Sequence, residues 1–196
     1  MIRISTSLKA IGDEEFDSLY PMKIKMLSST HWTPVEVAKK AIAFLDQKGG
    51  NSVLDLGSGA GKFCLIAAAN SDAKILGVEQ RENLVQISRK LAEKFKLDRV
   101  NFIHGDLKDL DFKNYDAFYF FNSFEENINL KDRLDKDNRI DFVQYRSYID
   151  LIRRKFDEVA VGTRIVTYCG EAAEIPESFR LVNSSNKGKL KFWEKK

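Results

Sequence analysis

Residues 53–61 read VLDLGSGAG. An apolar run carries one aspartate, Asp55, and then meets glycines at 57, 59 and 61. The run suits a buried strand. Removing side chains at alternate positions suits a turn that adopts positive φ and lets a ligand approach the backbone closely. The following segment, GKFCLIAAAN (61–70), reads as a buried helix. Its first N–H groups and the positive end of its dipole face whatever docks at the turn.

The pattern alternates outward from this point. Residues 73–79 (AKILGVE), 99–106 (RVNFIHGD), 115–122 (YDAFYFFN) and 163–169 (TRIVTYC) read as further strands. Residues 82–97 and 140–159 read as amphipathic helices, the first with Leu84, Ile87, Leu91 and Phe95 inward, the second with Phe142, Tyr145, Ile149, Ile152 and Phe156 along one stripe. Near-continuous apolar strands separated by helical patterns indicate a parallel sheet covered on both faces. Upstream, Thr33 as N-cap and Pro34 at the first helical position open a helix that Gly49-Gly50 stops. Short helices broken by Pro21 are expected within 11–26, and the tail folds as a hairpin around Asn186-Lys187-Gly188. Residues 125–139 are highly charged and read as a surface loop. The expected organisation is an N-terminal helical extension or lid over 1–32 and a main domain over 33–196.

The glycine turn is neither of the two common phosphate cradles. A dinucleotide fingerprint needs G-x-G-x-x-G, but Lys62 stands at its last position. A P-loop needs Ser or Thr after its lysine, and Phe63 stands there instead. Asp55 beside the turn repels a pyrophosphate and suits a ligand with an ammonium group. Glu79 ends the second strand and can accept two hydrogen bonds from ribose hydroxyls. Asp106 ends the third strand and can accept from an exocyclic adenine amine, while the Leu107 N–H can donate to the ring. Ammonium, ribose and adenine without phosphate describe S-adenosyl-L-methionine.

With VLDLGSGAG (53–61), GVEQ (77–80), HGDL (104–107) and FFNSF (120–124) in this order, the chain is similar to the class I S-adenosylmethionine-dependent methyltransferases. The resemblance covers about residues 34–170 and implies a three-layer α/β sandwich. Its mostly parallel seven-stranded sheet has the order 3-2-1-4-5-7-6, with strand 7 antiparallel and helices on both faces. It also implies that the product is S-adenosyl-L-homocysteine, and that Asp55, Gly57, Ser58, Gly59, Gly61, Glu79, Gln80, Asp106, Leu107 and Asn122 line the cofactor site. One departure stands out. Only GEAAEIPES (170–178) separates the fifth strand from the hairpin, so the helix usual there is shortened or absent.

Asn122 ends the fourth strand, where the transferred methyl group should point. Amino-group methyltransferases of this class often carry Asn or Asp there; FFNSF is similar but has Ser123 in place of proline. The Asn122 carbonyl can accept an N–H from an acceptor nitrogen and orient it, with Phe121 and Phe124 enclosing the acceptor. Asn122 can equally be a strand or loop cap. The expected function is methyl transfer to a nitrogen of a protein or other macromolecule. A small-molecule acceptor and a cofactor-binding scaffold without catalysis are the alternatives. An aminopropyltransferase is disfavoured, because GSGAG lacks the Gly-Gly-Gly-Asp-Gly loop.

Composition sets the outer limits. The 196 residues suffice for one sizeable core, and a net charge of +3 does not by itself require a nucleic-acid partner. A nucleic-acid patch on the basic tail is possible but not favoured over a solvated hairpin. Cys64, Cys169 and two histidines lack metal-type spacing, so no metal site is expected, and both thiols read as reduced in a cytoplasmic protein. No stretch approaches membrane-spanning length. His104 reads as structural, His31 is open between roles, and the acceptor class and oligomeric state are not specified.

Overall fold

The computed structural model describes residues 5–26, 32–121, 142–169 and 173–196. Seven strands form one sheet: β1 (Ser52–Leu56), β2 (Lys74–Glu79), β3 (Val100–His104), β4 (Ala117–Phe121), β5 (Arg164–Tyr168), β6 (Phe179–Ser185) and β7 (Leu190–Lys195). Their order is β3-β2-β1-β4-β5-β7-β6. The first five are mutually parallel, and β7 runs antiparallel to β5 and β6. This is the sheet that the family resemblance implied, and its five parallel strands are those that the alternating pattern indicated. The β6–β7 hairpin turns through Asn186, Lys187 and Gly188, all at positive φ.

The period of two along each strand divides the core. Val53 and Asp55 face one side of β1, while Leu54 and Leu56 face the other, among Phe118, Phe120, Ile152 and Phe156. Helix α7 (Phe142–Asp157) covers this second side with Ile149, Ile152 and Phe156, as its apolar stripe required. The side chains of Phe142 and Tyr145, also on that stripe, lie outside the described residues.

Helices α4 (Val35–Leu45), α5 (Lys62–Asn70) and α6 (Glu82–Lys94) cover the first side. Residues 62–69 of α5 are all buried. A helix apolar on every face needs cover on every face. The sheet supplies one face, and the short helices α1 (Ser5–Ala10) and α2 (Asp13–Asp17) with the link between them supply another, through Leu8, Phe16 and Ile11 respectively. A third short helix, α3 (Met22–Lys25), follows Pro21.

Two local expectations are corrected. Thr33 does not cap α4; Pro34 is the residue at the cap, and the Val35 N–H is taken by Asp13 Oδ1 at 2.9 Å. The Thr33 hydroxyl instead meets the Tyr119 hydroxyl at 2.7 Å, because burial against β4 offers it a partner that the helix start does not. Helix α4 also stops at Leu45, before the glycine pair. Asp46 turns the chain by accepting the Asn51 N–H at 2.9 Å, and Gly49 and Gly50 then follow at positive φ. Among the described residues 173–178 no helix separates β5 from β6.

Candidate functional site

The carboxyl ends of β1, β2 and β3 lie side by side, and the glycine turn, which leads from β1 into α5, is hydrogen-bonded to β2. Gly57, Gly59 and Gly61 have φ of 79°, 54° and 82°, a region costly for other residues. The Gly57 and Ser58 N–H groups both donate to the Val78 carbonyl, at 3.1 and 2.9 Å. Close packing fixes the turn from below. A Cβ on Gly61 would lie 2.7 Å from Ser88 Oγ, and one on Gly77 would lie 2.7 Å from Ser58 Oγ. Gly59 differs, since a Cβ there would meet no atom within 4 Å.

Glu79 is 5% exposed at the end of β2. Its carboxylate accepts the Gly59 N–H at 3.0 Å, so acidic strand end and glycine turn are one hydrogen-bonded unit. It also holds Arg81 through the backbone N–H at 2.9 Å and through Nε at 2.7 Å. Gln80 follows, its carbonyl 2.9 Å from His104 Nε2, so His104 ties β3 to the β2 turn as the structural reading of that residue required.

Asp106 stands beyond β3. Burial alone raises its pKa, but the Lys108 backbone N–H, the Tyr148 hydroxyl and the Lys108 ammonium together hold it below the usual carboxylate value. The Tyr148 hydroxyl donates to Oδ1 and accepts from Gln80 Nε2 at 3.2 Å. One tyrosine of α7 thereby bridges the turns after β2 and β3. Leu107 is buried in the single 3-10 turn that Asp106 opens.

Asp55 lies deeper, 3% exposed and beneath the turn. Its Oδ2 accepts from Cys64 Sγ at 3.1 Å. Burial, opposed by that thiol and reinforced by the charge of Glu79, pushes its pKa up to about 7. Burial and the neighbouring Asp55 carboxylate push the Cys64 thiol up as well. Asp55 is flanked in register by Gly77 and Tyr119, and Tyr119 stacks on Phe63 with ring centroids 3.7 Å apart.

The N-terminal segment clamps the same turn from outside. Lys62, the first residue of α5, is 5% exposed and bonds Asp13 and Asp17 at 2.6 Å each. The Tyr20 hydroxyl donates to the Ala60 carbonyl at 3.0 Å, and its ring packs 4.5 Å from that of Trp32. Lys62 is thus a structural cation.

Four features test the fit of a ligand bearing ammonium, ribose and adenine. Ser58 Oγ is buried with no hydrogen-bond partner among the described residues. Gly59 opens onto clear space. Glu79 and Asp106 stand at neighbouring strand ends. Asp106 Oδ2 contacts only the Lys108 ammonium, at 3.3 Å, among the described residues, which leaves an acceptor position for an amine. The residues fit such a group.

A family model described as "Methyltransferase domain" matches residues 47–190. This chain belongs to the methyltransferase-domain family. S-adenosyl-L-methionine is its cofactor. A 23S rRNA (uracil(1939)-C(5))-methyltransferase of Shewanella frigidimarina is 40% identical over 68 residues, 35% of this chain and 15% of that protein. A release factor glutamine methyltransferase of Buchnera aphidicola is 35% identical over 70 residues, 35% of this chain and 25% of that protein. The matches therefore span a quarter or less of the length of these two relatives. Among solved structures, an RNA methyltransferase of Salinibacter ruber in complex with S-adenosyl-L-homocysteine superposes with a TM-score of 0.58 at 23% identity, covering 83% of this chain and 92% of that one. TrmN of Thermus thermophilus gives 0.63 at 17% identity, covering 88% and 52%. These likenesses carry the fold.

Of the residues expected at the cofactor, Gly57, Ser58, Gly59, Gly61, Glu79, Gln80, Asp106 and Leu107 gather at and just beyond adjoining strand ends of this methyltransferase domain, and Asp55 lies below them. Asn122, Phe124, His31 and the loop 125–139 lie outside the described residues. Sequence reasoning missed Arg81 and Tyr148. Arg81 directly follows the GVEQ motif, a signal available in the sequence; Tyr148 leaves none, since its partners are 42 and 68 residues away. No helix among the described residues is long and apolar enough to cross a membrane, and no group of three metal-ligating side chains occurs among them.

Proposed function

We propose that this methyltransferase transfers the methyl group of S-adenosylmethionine to a nitrogen of a macromolecular substrate in the cytoplasm. One observation carries the donor half: Glu79 and Asp106 stand at adjoining strand ends, with Glu79 bonded to the open Gly59. On this reading Glu79 receives the ribose hydroxyls, Asp106 Oδ2 receives the adenine amine, and Leu107 N–H meets the ring. Ser58 and the glycine turn take the methionine end, and Asp55 supplies negative charge beneath its ammonium. The cofactor supplies an electrophilic methyl group on a sulfonium.

The acceptor half rests on FFNSF. Asn122 directly follows the last residue of β4 in the sequence. Its side-chain carbonyl accepts an N–H of the acceptor nitrogen, holding the lone pair toward the methyl carbon at about 3 Å, as in-line displacement requires. The nitrogen sheds its proton after transfer. That the curated relatives act on ribosomal RNA and on a release factor supports a macromolecular acceptor.

The test is transfer from methyl-labelled S-adenosylmethionine into fractionated lysate. Label in RNA or protein, lost in Asn122→Ala, supports the reading. Label confined to small molecules overturns the acceptor class, no label points to a scaffold, and full activity in Asn122→Ala removes that residue from the chemistry.

A further inference from the structure

The Glu79 carboxylate has no acceptor position to spare. Oε1 accepts the backbone N–H of Arg81 at 2.9 Å and Arg81 Nε at 2.7 Å. Oε2 accepts the Gly59 N–H at 3.0 Å and a terminal N–H of Arg81 at 3.3 Å. A carboxylate offers about two such positions on each oxygen, so all are used. A vicinal diol donates two hydrogen bonds and needs two positions returned.

Only one partner is built to leave. The Gly59 N–H belongs to a turn pinned by Val78 and packed on Ser88 and Phe102. The Arg81 backbone N–H stands at the cap of α6, whose first turn bonds back to the Arg81 carbonyl. The guanidinium sits on a flexible stem, its side chain 28% exposed against 5% for Glu79. Its two N–H groups hold the carboxylate side-on, one to each oxygen, and two diol hydroxyls need the same two positions.

We infer that Arg81 is an intramolecular competitor of the ribose diol, its guanidinium and the two hydroxyls alternating on the Glu79 carboxylate. The inference rests on Glu79 being the ribose acceptor. The Arg81–Glu79 pair therefore sets the affinity for every ligand that presents a ribose diol.

The test is calorimetric titration of S-adenosylhomocysteine, adenosine and 2′,3′-dideoxyadenosine into wild type, Arg81→Ala, Arg81→Lys and Glu79→Ala, each checked for fold by circular dichroism. A partly exposed ion pair is worth little in water, so Arg81→Ala should tighten S-adenosylhomocysteine and adenosine by about two- to tenfold. Arg81→Lys should fall between, and the dideoxy ligand should not respond. Added salt, which weakens the ion pair, should raise wild-type affinity for S-adenosylhomocysteine but leave Arg81→Ala flat. Weaker or unchanged binding in Arg81→Ala, with Glu79→Ala still weakened, overturns the competition alone. Unchanged binding in Glu79→Ala overturns the ribose-acceptor reading beneath it.

Discussion

Cys64 Sγ lies 3.1 Å from Asp55 Oδ2, and both side chains are buried. The thiol on α5 is thus the partner of the acidic residue that the strand carries under the glycine turn. Burial raises the Asp55 pKa from 3.8 to about 7, against the lowering by the thiol and with reinforcement from Glu79. Between those values the folded chain holds a proton that the unfolded chain has lost. Stability from this group therefore falls as pH rises through that window, and the full penalty applies above it. The penalty is on the order of a few kcal/mol. Asp55→Asn should remove it, melting higher than wild type at pH 8 and losing that advantage at pH 4. Thermal unfolding across pH checks this. An ammonium ligand favours the ionised form, so wild-type affinity for S-adenosylhomocysteine should drop from pH 8 to pH 6, and Asp55→Asn should lack that slope.

Lys62 anchors the N-terminal segment to the helix behind the glycine turn through Asp13 and Asp17. Lys62→Met leaves Asp17 buried and uncompensated, which should cost about 3–5 kcal/mol in denaturant unfolding. Adding Asp13→Asn and Asp17→Asn should recover part of the loss, because no unpaired charge then remains.

Gly77 carries the floor of the turn. Gly77→Ala places a Cβ 2.7 Å from Ser58 Oγ and 2.8 Å from the Phe102 ring. Overpacking of this kind costs about 1–3 kcal/mol. Because the displaced atoms belong to the turn, cofactor affinity should fall together with melting temperature. A melting shift without an affinity change would show that the turn does not transmit the strain.

Tyr148 holds Gln80 and Asp106 together from α7. Tyr148→Phe removes the donor to a carboxylate, worth about 1.5–3 kcal/mol for a charged group and less at this partly exposed site. The Asp106 pKa should move up, since the hydroxyl helps hold it down. Carboxyl titration by NMR reads that shift directly, and binding of S-adenosylhomocysteine should weaken several-fold.

The fold was legible because its signals are local. The run from Val53 to Leu56, the glycines after it and the Asn-Lys-Gly turn each state their conformation within a few residues. The alternation of Val53 and Asp55 with Leu54 and Leu56 already divides the two faces. The site was legible where carboxylates lie at a strand end or just beyond it, at Glu79 and Asp106. It was not legible where partners are distant. Thr33 meets Tyr119 across 86 residues and Lys62 meets Asp13 across 49, and no periodicity records such pairings. The complete burial of α5 was the one clue to the N-terminal clamp, since a helix apolar on all faces needs cover beyond the sheet.

The central claim, an S-adenosylmethionine site at the carboxyl ends of β1, β2 and β3, is tested most directly by titrating S-adenosylhomocysteine into the folded chain and into Glu79→Ala. The expected result is one site per chain in the micromolar range. In Glu79→Ala it should weaken by about 1–3 kcal/mol, since hydrogen bonds to a charged group are lost. Absence of binding to folded wild type at millimolar ligand, or equal affinity in the two proteins, would contradict it.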